Sequence, residues 1–192
     1  MPFEFKKCPI EGLYEVCPKV FGDSRGYFFE VYNKKEFEQA GLCMEFVQDN
    51  QSASTKGVLR GLHFQTLHPQ GKLVRAVSGK VYDVAVDLRK NSKTFGKYHG
   101  IILDSEMQNQ FYIPKGFAHG FYVLSDYAVF AYKCTDFSHP EDEGGIMWND
   151  ASIGINWNVE AGLTPNLSKK DTEHPPFFLD KDYFDINGNW IG

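Results

Sequence analysis

The sequence predicts an all-β sandwich or barrel in a single domain. Short runs rich in β-branched and apolar residues recur at near-regular spacing, bounded by Gly and Pro. Aromatic residues make up 16% of the chain, with 17 Phe and 10 Tyr, a bias that favours strands. Hardly any stretch carries helical periodicity. A chain of 192 residues suits one domain, 1–192, and is long enough to bury a real core.

Taken in order, residues 9–33 alternate loosely, with turn signals at Gly12 and over 22–26. Residues 27–32 read as a strand, 34–39 as a short helix stopped by Gly41, and 44–49 as a further strand. Three central strands follow at 58–64, 72–77 and 80–88, with Pro69, Gly71 and Gly79 at the joins. Residues 98–104 and 110–113 are short strands. Residues 117–124 and 127–134 are expected to pair as a hairpin about Ser125-Asp126. Two short strands, 145–148 and 153–157, flank Asn149-Asp150. Pro165, Pro175 and Pro176 take 164–176 out of the β region. The tail, 177–192, holds Phe177, Phe178, Tyr183, Phe184 and Trp190, so it should dock on the body or on a partner subunit.

Net charge is −5 and no block of Lys or Arg stands out, so nucleic acid and anionic membranes are not expected partners. A small anionic ligand remains compatible, because a pocket can be basic inside an acidic protein. No run approaches the roughly 20 apolar residues that span a bilayer, and residues 1–7 lack the apolar stretch of a signal peptide. Cys8, Cys17, Cys43 and Cys134 are scattered, which reads as reduced thiols and a cytoplasmic location.

The central strands carry polar residues that a plain sheet does not need: Arg60, His63, Lys72, Arg75, Asp83 and Asp87. They suggest a sheet wrapped round a polar pocket. Alternation puts Leu59, Gly61, His63 and Gln65 on one face and Arg60, Leu62 and Phe64 on the other. A bulge at Gly61 would bring Arg60 round to the side of His63. His63 taken alone reads more readily as a core histidine satisfied by a backbone carbonyl than as a catalytic group. Asp83 and Asp87 share a strand face and need partners, either a histidine to orient or an arginine, Arg75 or Arg89. Ser168 and Asp171 have helix-cap spacing, but Pro175-Pro176 stops any long helix, so the cap explains only a turn. Tyr132 lies on a strand, where most tyrosines simply pack.

The string Pro114-Lys-Gly-Phe-Ala-His119 resembles the second motif of the cupin superfamily. In the first motif, Gly61-Leu-His63-Phe-Gln65, glutamine stands where the second metal-binding histidine would be. A resident metal is therefore not expected.

Longer strings carry a more specific resemblance. Residues 19–30, 46–50, 58–65, 70–75 and 113–121, with Tyr132-Lys-Cys-Thr, Glu143-Gly and Leu167-Ser-Lys-Lys-Asp171, resemble the dTDP-4-dehydrorhamnose 3,5-epimerase family in its order, over about residues 5–180. The likeness implies a cupin-like double-stranded β-helix (jelly roll) with a few short helices, a homodimer, and no metal or other cofactor. It implies inversion of C3 and C5 of a dTDP-linked 4-keto-6-deoxy sugar. His63 would be the base, Asp171 its holder, Tyr132 the acid across the ring, and Lys72 the neighbour of the C4 oxygen. His119 with Asp83 would line the site. Arg25, Glu30, Gln48, Asn50, Arg60, Glu143 and Lys170 match positions that contact the nucleotide, diphosphate or sugar, some of them in the neighbouring subunit's site.

The chemistry suits these residue types. C3 and C5 flank the C4 ketone, so loss of either proton gives an enolate. An imidazole, with an ordinary pKa of about 6.5, takes a proton near neutrality. A carboxylate on its other nitrogen fixes the tautomer and favours the imidazolium. An ammonium beside O4 stabilises the enolate more than the ketone. Inversion then needs a proton from the opposite face, which a phenol can supply. Phe137-Ser138 departs from the family, where one or two tyrosines are common, and leaves open inversion at one carbon only. A 3,4-ketoisomerase of another nucleotide sugar and a non-catalytic nucleotide-sugar-binding cupin are the other readings.

Overall fold

The computed structural model describes residues 2–192. Its strands are β1 (Phe3–Lys7), β2 (Tyr14–Pro18), β3 (Phe21–Asp23), β4 (Gly26–Phe28), β5 (Gln48–Thr55), β6 (Leu59–Gln65) and β7 (Lys72–Ser78). They continue as β8 (Lys80–Asp87), β9 (Tyr98–Asp104), β10 (Gln110–Ile113), β11 (Phe117–Val123), β12 (Tyr127–Cys134) and β13 (Glu143–Gly145). Two short α-helices, α1 (Lys34–Gln39) and α2 (Lys169–Glu173), and one 3₁₀ turn, Pro140–Asp142, complete the set. One sheet has the order β1-β2-β10-β7-β12-β5 and the other β13-β6-β11-β8-β9, while β3 and β4 form a separate ribbon. Neighbouring strands run antiparallel. This is the cupin-like jelly roll expected from the resemblance.

Alternation along the strands builds three apolar layers. Val74, Ala76, Val81, Ala85, Phe121, Ala128 and Phe130 pack between the two sheets. On the outside of the five-stranded sheet, Leu59, Leu62, Phe64, Val84 and Val86 meet Ile146, Trp157, Phe177, Tyr183 and Phe184. The aromatic tail therefore docks on the body of its own chain, with Phe184 wholly buried. On the outside of the six-stranded sheet, Phe37 of α1 plugs against Phe3, Val16, Leu73 and Tyr112. Asn33 caps α1 by accepting from the Glu36 amide, and Gly41 follows it in the left-handed region. No helix among the described residues is long and apolar enough to cross a membrane.

Several expectations need correction. Strands β11 and β12 are joined at Ser125-Asp126 as predicted but lie in different sheets, so they form a corner of the sandwich rather than a hairpin. The strand expected at 44–49 begins at Gln48 and runs to Thr55, because it follows β12 as its pairing partner. The strand expected over 27–32 stops at Phe28. Residues 145–148 and 153–157 are not strands. Glu143–Gly145 pairs with β6, and 151–154 form turns that bury Ile153 and Trp157 against the sheet. The first two strands lie in or before a region that read only as loosely alternating.

Pairing of β6 with β11 shifts register between His119 and Phe121, opposite Gly61. This bulge puts Leu59, Leu62 and Phe64 in the outer core, while Arg60 and His63 line one inner cavity. Gly61 has φ +135°, and a β-carbon there would stand 2.6 Å from the Gly120 Cα. Gly61→Ala should lower stability by about 1–3 kcal/mol through overpacking alone. An unchanged urea midpoint would show that the bulge has room to relax.

Candidate active site

His63 and Tyr132 reach the same space from opposite walls. His63 stands on β6 of the five-stranded sheet and Tyr132 on β12 of the six-stranded sheet. Packed sheets lie roughly 10 Å apart, enough for a sugar ring and side chains from both faces. Two adjoining cavities of about 220 and 180 Å³ are each lined by His63, Lys72 and Tyr132. Arg60, His119, Lys170 and Asp171 line the first, and Glu143 lines the second. A larger cavity, about 540 Å³, lies beside Leu73, Arg75, Ala131 and Lys133, the strand positions that face away from the interior. It contains no histidine and is not the centre of this chemistry.

His63 Nε2 donates to Asp171 Oδ1 at 2.5 Å across 108 positions of sequence. Asp171 belongs to α2. Ser168 caps that helix by accepting from the Asp171 amide, and its hydroxyl donates to Asp171 Oδ2 at 2.7 Å. The turn thus serves to deliver a carboxylate. Burial pushes the Asp171 carboxyl up, but hydrogen bonds from His63 and Ser168 outweigh it and hold the pKa at about 2. The remaining His63 nitrogen, Nδ1, is left as the proton acceptor.

Lys72 on β7 lies beside Tyr132, its Nζ 5.9 Å from the ring centre. Burial lowers its pKa from 10.5, while Cys134, Glu143 and Asp83 resist that shift. Burial also raises the Tyr132 phenol above 10.0, with Cys134 and Glu143 adding to the effect and Arg60 opposing it. Tyr132 therefore keeps its proton and can donate it.

Behind this pair, His119 on β11 sits directly beside His63 and contacts both oxygens of the fully buried Asp83, at 3.0 and 2.9 Å. Burial raises the Asp83 pKa, partly offset by His119 and Lys72. The two aspartates of β8 thus split between the readings. Asp83 orients a histidine. Asp87 accepts from Arg89 at 2.9 and 2.8 Å, and also from Ser92 and Thr94. Arg75 serves neither, since it faces away and lies 5.9 Å over Phe29.

Among the other expected contacts, Lys170 pairs with Glu143 at 2.5 Å across the cavity edge. Arg60 donates to Ser54 at 3.2 and 3.1 Å. Gln48 donates to Asn50 and to Ser138, and accepts from the Ser138 amide. Arg25 and Glu30 are not brought to the cavities. Arg25 pairs with Asp23 and its side chain is 88% exposed, and Glu30 accepts from Asn33. Sequence reasoning passed over Ser52 and His139, which also line the cavities, and His174, which abuts His63, while Ser138, noted as a departure from the family, lines the second cavity. Alternation from Gln48 and Asn50 along β5 points to Ser52; no local signal marks His139.

Residues 7–178 match the family described as dTDP-4-dehydrorhamnose 3,5-epimerase. The dTDP-4-dehydrorhamnose 3,5-epimerase of Shigella flexneri is 58% identical over 170 residues, covering 87% of this chain and 91% of that one. A solved structure of dTDP-6-deoxy-D-glucose-3,5-epimerase from Legionella pneumophila, in complex with dTDP-4-keto-L-rhamnose, superposes with a TM-score of 0.85 at 50% identity, covering 88% and 89% of the two chains. A 3'-monoepimerase from Streptomyces bikiniensis, in complex with dTDP-quinovose, gives a TM-score of 0.82 at 30% identity, covering 89% and 86%.

A cupin-like jelly roll with an imidazole–carboxylate pair facing a phenol and an ammonium defines an isomerase of the sugar-nucleotide epimerase class. The chain belongs to the dTDP-4-dehydrorhamnose 3,5-epimerase family.

Proposed function

We propose that the chain converts dTDP-4-dehydro-6-deoxy-D-glucose to dTDP-4-dehydro-L-rhamnose, in dTDP-L-rhamnose biosynthesis, by inverting C3 and then C5 or the reverse. The observation that carries this reading is the placement of His63 and Tyr132 on opposite sheets around one slot, with Lys72 beside the phenol. His63 Nδ1 takes the proton from the carbon next to the ketone, and the carbon's electron pair moves into the enolate. Lys72 stabilises the charge arriving on O4. Tyr132 then returns a proton from the other face, and solvent resets both groups. Arg60 and Lys170 make the mouth basic in a chain of net charge −5, which suits a diphosphate. No step calls for a redox group or a metal.

The protein acts as a homodimer in the cytoplasm on this reading. The β3–β4 ribbon displays Phe21, Tyr27 and Phe28 at 52%, 63% and 68% exposure, next to an Arg25 that has no role within its own chain's cavities. Such a ribbon suits docking on a second copy, which would give Arg25 and Glu30 a diphosphate to contact. The four cysteines are unpaired, as fits a reducing compartment.

The test is turnover in deuterated water, with the product analysed by carbon. Label at both C3 and C5 is expected. Label at one carbon alone would replace this reading with a single-site epimerase, which Phe137-Ser138 and the likeness to a monoepimerase favour. Tyr132→Phe should still exchange C–H for C–D while the inverted product falls roughly 10²–10⁴-fold. Undiminished inversion in that variant would assign the acid elsewhere.

A further inference from the structure

His174 follows α2 and is not used by the reaction above. Its ring packs edge-on to His63, with centroids 5.3 Å apart, and its side chain is 90% buried. It sits in a socket made by Gly145, where any β-carbon would overlap the ring, and the Pro175 carbonyl accepts from the Met147 amide to pin the backbone. Its Nε2 is buried and has no hydrogen-bond partner. A polar atom held this way costs free energy unless something satisfies it.

That nitrogen lies 4.0 Å from Asp171 Oδ1, and the ligand atoms of His63, Asp171 and His174 all fall within 4.8 Å of one another. We infer that His63, Asp171 and His174 form a binding site for a borderline divalent cation of the Zn²⁺ class, and that its occupancy turns the enzyme off. Two imidazoles and one carboxylate are the donor set such ions prefer. Bond lengths of about 2.0–2.1 Å in a tetrahedral sphere put donors about 3.3 Å apart. A cation entering here needs Asp171 Oδ1 to withdraw from His63 Nε2, now 2.5 Å away, and His174 to approach from 4.0 Å to Asp171 and from within 4.8 Å to His63. Two of the three donors, His63 and Asp171, line a cavity through which an ion can arrive. Lys170, the adjacent positive charge, is held by Glu143.

This set differs from the cupin-type one, because it takes only one histidine from the barrel and two ligands from the segment after it. It also explains how binding would silence catalysis, a consequence that rests on His63 being the base. A cation on Nε2 replaces the proton now donated to Asp171. That proton moves to Nδ1, so the imidazole stays neutral but loses the lone pair that faces the sugar. No proton is gained or lost, and the enzyme has no acceptor.

The test begins with the full chain freed of metal by chelator and with no substrate present. Co²⁺ alone is titrated in and followed by its visible absorption, and Zn²⁺ by calorimetry and by displacement of Co²⁺. One ion per chain should bind, and His174→Gln should weaken binding at least tenfold while leaving the metal-free exchange rate unchanged. In the deuterium-exchange assay, Zn²⁺ should inhibit the unsubstituted enzyme, and His174→Gln should need at least tenfold more. If His174→Gln lowers the unfolding midpoint, His174→Phe, which keeps a ring in the Gly145 socket, takes its place. Equal affinity in the variant, or no binding, overturns the site. Binding without inhibition overturns the switch. Failure of the base assignment is separate: His63→Asn would then keep exchanging, whatever the metal does.

Discussion

Replacing His63 with Asn is expected to cut turnover roughly 10²–10⁴-fold, the usual contribution of a positioned general base. Label uptake at C3 and at C5 should fall together, because one imidazole serves both carbons that flank the ketone. Nucleotide binding should change little, since the expected diphosphate contacts lie with Arg60 and Lys170 on other parts of the rim. The measurement is carbon-resolved exchange in deuterated water alongside dTDP affinity. Loss at one carbon with normal exchange at the other would mean that a second base works in the slot. His119 would be the first suspect, because it adjoins His63 and lines the same cavity.

Lys72→Gln should cost roughly 10²–10³ in turnover, the scale for losing one group aimed at a developing oxyanion. The loss should appear in kcat more than in KM, because the charge on O4 exists only in the enolate and the state leading to it. The pH profile offers a second check. Lys72 must carry its proton to act, and burial lowers its pKa from 10.5. Tyr132 must also keep its proton, but burial raises its pKa from 10.0. Burial thus brings the Lys72 ammonium down toward the range in which the enzyme works while holding the proton on Tyr132, and the descending limb of the unsubstituted enzyme is assigned to Lys72 as the prediction to be tested. In Lys72→Gln that limb should move to higher pH. An unmoved limb would assign it to another group, and an unchanged kcat in Lys72→Gln would remove the electrostatic role given to Lys72.

Strands whose apolar and β-branched residues state their own case were legible in the sequence to within a residue or two. Residues 59–65, 72–78, 80–87, 98–104 and 110–113 are of this kind, and Gly or Pro marks several of their ends. Strands made by their partners were not. Gln48–Thr55 is Gln-Asp-Asn-Gln-Ser-Ala-Ser-Thr, with little strand propensity, and exists because β12 offers it a ladder along its whole length. Glu143–Gly145 is held by β6 in the same way. The Ser125-Asp126 turn showed where the chain bends but not that the next strand joins the other sheet.

At the site, the bulge at Gly61 could be argued from one glycine in a strand, and it sets Arg60 beside His63 as expected. That Asp83 would find a histidine while Asp87 found an arginine depends on which neighbour crosses the barrel at each height, which alternation does not specify. The His63–Asp171 bond spans 108 positions and has no local signature. Only the likeness to a family pointed to it, and the geometry now gives it a physical basis.

The base and its carboxylate partner come from opposite ends of the chain's order of synthesis. A ribosome that has delivered every barrel strand, through Gly145, has yet to deliver Asp171 and the aromatic cover that closes over the sheet behind it. A nascent barrel therefore carries His63 with nothing to fix its tautomer. Chemical competence arrives late in translation, after the walls of the slot are already made.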